Sequence, residues 1–130
     1  MPTHIILAIF LSLTVFQADE TLRRYGGADR EWHLVTLNGT DFDAGVTLSF
    51  PTRNRITSQA PCNRYHTRNS APYPWIEVGP IAAARRACPA LQTEQAYFKA
   101  LQAVNVAVIE GTTLTLSNEV RPLLVFKYRD

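Results

Sequence analysis

Two cysteines, two lysines and one methionine are all that the 130 residues hold of those types. Zinc sites usually present their ligands as close pairs such as Cys-x2-Cys, and two distant cysteines cannot supply that pattern. No apolar run reaches the ~20 residues that a membrane-crossing helix needs. The chain also has no glycine-rich phosphate loop, no nucleophile-elbow serine and no paired general acid and base. Repeats and low-complexity stretches are missing too. With 46% apolar and 18% charged residues and a formal net charge of +2, the composition is that of a folded chain. Its length suits one domain with its own core.

The N-terminus differs in character from the rest of the chain. Residues 5–16 read IILAIFLSLTVF, and the polar QADETLRR comes next. That length suits the core of a signal peptide, with the best cleavage position after Ala18. The n-region has no Lys or Arg, and bulky Phe16 precedes the cleavage position where a small residue is preferred. The expected organisation is a signal peptide over 1–18, a linker over 19–30 and one domain over 31–128. No cysteine follows the apolar run closely enough to be a lipid anchor.

Charge is unevenly placed. Residues 19–52 carry three basic and six acidic groups, whereas 53–86 carry Arg53, Arg55, Arg64, Arg68, Arg85 and Arg86 against Glu77 alone. Such a stripe, with Tyr65, Tyr73 and Trp75 interleaved, is one way to grip a nucleic-acid backbone. An exported chain seldom meets nucleic acid, and Arg outnumbers Lys eleven to two overall, which points to compositional bias. The stripe reads better as a solvated rim that faces an acidic partner or anionic lipid.

Apolar residues mostly recur with period two. Val46, Leu48 and Phe50 alternate with Thr47 and Ser49; Leu114 and Leu116 alternate with Thr113 and Thr115; Leu124, Phe126 and Tyr128 alternate with Val125 and Lys127. Half-buried strands have this pattern. Further strands are expected at 32–37, 55–59, 75–78 and 104–109, with Gly39, Gly45 and Gly111 in turns and a hairpin closing at 110–112. One segment breaks the rhythm, because LQTEQAYFKALQAV places Tyr97, Leu101 and Val104 at helical spacing with Phe98 beside them. Thr93 is the expected N-cap, Glu94 sits at the positive end of the dipole, and Asn105 ends the last turn. A single helix among about seven strands implies an α+β domain, in which a curved antiparallel sheet wraps the helix.

Cys62 and Cys88 are an even pair in a small chain with an export signal, so a disulfide is the leading expectation. Closing the 62–88 loop contributes about 3.5 kcal/mol by chain-entropy arithmetic. Two buried unbridged thiols become the favoured reading if the chain is cytosolic. A zinc set of Cys62, His66, Cys88 and His33 has the wrong spacing, and a Cys62/His nucleophile lacks an orienting partner. His33 belongs on a strand face and His66 in a solvated loop. Asp41 and Asp43, with Asn38, lack the oxygens and closing Glu of a calcium loop and read as a polar turn. Asn63 is expected to satisfy backbone groups in its turn, and Tyr65 to bury its ring while its hydroxyl finds a partner. No cofactor is expected.

Trp32, PCNRY at 61–65, ARRAC at 84–88, EQAYFKAL at 94–101, GTTLTL at 111–116 and a final LLVF strand, in that order, resemble the META domain, the family of the bacterial heat-inducible protein HslJ. Within the family pattern, Cys62, Asn63 and Tyr65 match a Gly-Cys-Asn-x-Tyr motif. Ala87 and Cys88 match the end of Thr-x-x-Ala-Cys, and Glu94, Phe98 and Leu101 match the helix. Pro61 and Ala84 stand where the family has Gly and Thr, and the glycine usual after the tyrosine is missing. The resemblance implies a curved sheet around one helix, an envelope or secreted setting associated with stress responses, and no established enzymatic activity. It leaves two expectations for function. The first is a non-catalytic domain that binds a protein partner or stabilises a surface assembly; the second is a carrier of a lipid or small apolar molecule.

Overall fold

The computed structural model describes residues 21–28 and 30–128. The expected signal peptide over 1–18 lies outside the described residues. The segment expected as a linker is described from Thr21 onward, and Leu22 within it is fully buried in the core.

Among the described residues, nine strands and one long helix follow the period-two and helical patterns. The strands are β1 (Trp32–Leu37), β2 (Thr40–Asp41), β3 (Thr47–Leu48), β4 (Arg55–Gln59), β5 (Arg64–Arg68), β6 (Ala82–Ala83), β7 (Val106–Glu110), β8 (Thr113–Ser117) and β9 (Pro122–Lys127). The helix α1 spans Leu91–Ala103. Strand β5 shows the alternation most cleanly: Tyr65 and Thr67 face inward, while Arg64, His66 and Arg68 are exposed. His66 therefore sits in a strand and not in the loop expected for it. Polar side chains on alternate positions had masked the strand, because only its inner face carries the apolar signal.

The strands form two antiparallel sheets. The larger runs β2-β1-β9-β8-β7, with β3 also pairing to β1, and the smaller runs β4-β5-β6. A bridge between Ser49 and Thr57 joins β3 to β4. On the other side Asn69 bridges Val78, and Trp75 bridges Val106 of β7. The expected curved sheet is thus a ring of ladders around the helix, and the segment expected as a strand at 75–78 contributes bridges to that ring. Asn38 and Gly39, both at positive φ (51° and 81°), make the two-residue turn between β1 and β2. The expected hairpin at 110–112 closes with Glu110 opposite Thr113.

Tyr97 and Leu101 of α1 are fully buried in one core cluster with Trp32, Leu114, Leu116, Leu124 and Phe126. The helix begins earlier than its sequence suggests. Ala90 occupies the N-cap with no side-chain bond, and Thr93 lies inside the first turn. The strap that enters the helix takes over the cap's work, since the Leu91 N–H donates to the Cys88 carbonyl at 3.1 Å. At the far end Val104 is already extended, and the Asn105 N–H donates to Ser117 across to β8.

Candidate functional site

Cys62 and Cys88 form a disulfide with their Cα atoms 5.8 Å apart. The bridge ties the turn before β5 to the strap that runs from β6 into α1. Asn63, beside it, deals with the same strap through its side chain. Its Oδ1 accepts from the Arg86 N–H at 2.9 Å, and its Nδ2 donates to the Arg86 carbonyl at 3.1 Å. An amide side chain that satisfies both backbone groups of one residue imitates a neighbouring strand.

Glu94 completes this cluster from the helix. Its Oε1 accepts from the N–H groups of Cys62 (3.0 Å) and Asn63 (2.8 Å), and its Oε2 accepts from Asn63 Nδ2 at 2.8 Å. Glu94 as a whole is only 2% exposed, so three donors and the positive end of α1 replace the hydration of its carboxylate. The sequence places Glu94 at the dipole but not in a clamp. The available signal was its phase: Glu94, Tyr97 and Leu101 share the buried helix face, and a carboxylate there must find donors.

Tyr65 projects inward from β5 and meets Tyr97 of α1, their hydroxyls 2.6 Å apart. The Tyr65 hydroxyl donates to the Thr47 carbonyl at 2.8 Å, so its single proton is committed and Tyr97 is the donor between the two phenols. Burial pushes both phenols above the ordinary tyrosine value. The bond from Tyr97 partly offsets this for Tyr65, whereas the neighbouring Tyr65 raises Tyr97 further. Both act as neutral core groups. The ring of Phe98 packs on Tyr65 with centroids 5.4 Å apart, yet Phe98 itself is only half-buried.

The outer face of the small sheet has the opposite character. Arg55 lies directly across from Arg68, Thr57 from His66 and Gln59 from Arg64. All three arginines and His66 are exposed. A groove of about 550 Å³ runs along this face, lined among others by Arg55, His66, Arg68, Ser70 and Glu77. Arg85 and Arg86 lie beyond β6 on the strap and line a second groove of about 620 Å³ with Ile81, Leu91 and Phe98.

The structure brings Cys62, Asn63, Tyr65, Cys88, Glu94 and Phe98 into one neighbourhood. Ala87 is exposed on the strap, Leu101 lies deeper along the helix, and Trp32 is buried on β1 with its ring edge-on to Tyr128. Arg53 is exposed in the turn before β4. The residues weighed for zinc are not brought together: the two cysteines bond to each other, His66 faces solvent from β5, and His33 on β1 stands 3.4 Å from Glu31. Among the described residues, no cluster of three His, Cys, Asp or Glu is arranged to hold a metal ion.

A family model described as META domain matches residues 25–130. A solved structure described as the NMR structure of the protein from Burkholderia xenovorans is 21% identical, with a TM-score of 0.65, covering 83% of this chain and 87% of that one. A second NMR structure is 18% identical, with a TM-score of 0.59, covering 75% of this chain and 87% of the other. Among curated proteins none matches.

Proposed function

The chain belongs to the META domain family, and from that premise we propose that it is a non-catalytic, exported or envelope domain, envelope- or stress-related, that works by binding a protein partner. The observation that carries this reading is the outer face of β4 and β5, where Arg55, Arg64, His66 and Arg68 stand exposed together. Like charges directly opposite on a sheet destabilise it, so the Arg55–Arg68 pair is better explained by an acidic surface it meets than by the fold it sits in. The disulfide supports an oxidising compartment.

The groups with chemical potential are engaged in structure. The cysteines are joined, the Glu94 carboxylate is taken by three donors, and Tyr65 and Tyr97 hold each other. A carrier of apolar molecules needs a chamber between sheet and helix. Tyr65, Tyr97, Leu101 and Phe126 occupy that space, which favours the partner reading.

Affinity capture from the host's envelope fraction tests the proposal, with wild type and the Arg55→Glu/Arg68→Glu variant side by side. The reading expects a specific protein recovered by the wild type and lost with the reversed charges. Identical recoveries from both would count against it.

A further inference from the structure

The small sheet ends on β6, which pairs with β5 on one side and, among the described residues, with no strand on the other. Residues 81–88 continue this edge without a turn or bend. Successive residues of an extended chain aim their N–H and C=O groups to opposite sides. Arg86 turns both of its groups to Asn63, on the β5 side. By the same alternation Ala83, Arg85 and Ala87 turn theirs to the open edge.

Three features make that edge a template. Alanines at 82, 83, 84 and 87 leave room for a second backbone to approach. The strap is held at its far end by the disulfide and by Asn63, so little ordering remains to be done on binding. Beneath it lies the groove shared with α1, where half-buried Ile81, Leu91 and Phe98 offer apolar surface.

We propose that this edge recognises an extended acidic segment of a protein partner, which adds to β6 as a further strand and lays alternate apolar side chains against Phe98. Exposed Arg85 and Arg86 select the occupant. A second copy of the chain would set these arginines against their own kind, whereas a strand with acidic side chains complements them. The inference rests on the partner-binding reading and narrows it to one edge and one class of ligand.

The probe is the acetylated peptide Glu-Val-Glu-Val-Glu-Val-Glu, titrated into isotope-labelled protein and followed by backbone-amide NMR. The expected result is shifts and slowed solvent exchange at Ala83, Arg85 and Ala87. N-methylating the amides that face β6 should weaken binding about tenfold or more, as loss of two or three hydrogen bonds implies. Methylating the opposite set should leave it nearly unchanged. The Arg85→Glu/Arg86→Glu variant, with an unaltered melting temperature, should lose the acidic peptide and bind the Lys-Val counterpart. Equal tolerance of both methylated sets, or no effect of the charge reversal, would overturn the proposal. Shifts confined to Arg55, His66 and Arg68 would overturn strand addition and leave partner binding standing. Silence across the whole small sheet at millimolar peptide would overturn both.

Discussion

Glu94 and Asn63 are joined twice, once through the Asn63 backbone N–H and once through its side-chain Nδ2, each at 2.8 Å from a carboxylate oxygen. Asn63 in turn pairs with the backbone of Arg86, next to the disulfide. Helix, small sheet and strap therefore meet at one carboxylate. Glu94→Gln keeps the shape but removes the charge and turns an amide N–H₂ towards donors. Breaking such a buried arrangement costs about 2–3 kcal/mol, measurable by urea denaturation. A loss below about 0.5 kcal/mol would mean that the carboxylate is not the anchor.

Removing either sulfur from the bridge should have one common effect. Cys62→Ser and Cys88→Ser are each expected to cost roughly 3 kcal/mol under oxidising conditions, and the double variant little more than either single. Thermal melts with and without reductant check this. Clearly additive losses would show that the two residues act separately.

The helix stripe should show a gradient of cost that follows burial. Leu101→Ala, at a fully buried position, is expected to cost about 3–4 kcal/mol. Phe98 alone would suggest a similar figure from its sequence position, but half-exposure reduces the apolar surface it removes from water, and about 2 kcal/mol is expected for Phe98→Ala. Chemical denaturation of the two variants decides the order; Phe98→Ala costing more than Leu101→Ala would contradict the packing.

The tyrosine pair can be probed through pH. Both phenols are raised above the ordinary value by burial, so their neutral forms are favoured in the folded state. The stability they contribute is present in full below about pH 10 and is lost as pH climbs beyond that value, because the unfolded chain ionises first. Of the five tyrosines, two should resist ionisation until the protein unfolds in an ultraviolet alkaline titration. All five titrating together in the folded protein would contradict the pairing.

Much of the fold was legible because its strands are half-buried. Alternation located β3, β8 and β9 in the sequence, further strands were expected where β1, β4 and β7 lie, and the Tyr97–Leu101–Val104 spacing located α1. Strand β5 was harder, since its outer residues Arg64, His66 and Arg68 read as a charged loop until Tyr65 and Thr67 are seen to share the inner face. The cap at Thr93 failed for a tertiary reason: the strap from Cys88 feeds the helix directly and makes a side-chain cap unnecessary. Sequence located Cys62, Asn63, Tyr65 and Cys88 as a group but not the Glu94 clamp. Local pattern reports a residue's phase, whereas hydrogen bonds 31 and 32 residues apart in the chain are set only by how sheet and helix meet.

Native mass spectrometry of the protein taken from its host's envelope, with and without reductant, tests the account most directly, since one spectrum reports processing, bridge and bound species together. The account predicts a chain processed near Ala18, carrying the Cys62–Cys88 bridge and associated with a protein partner. A co-purifying lipid held by the monomer, or an intact N-terminus with two free thiols, would contradict it.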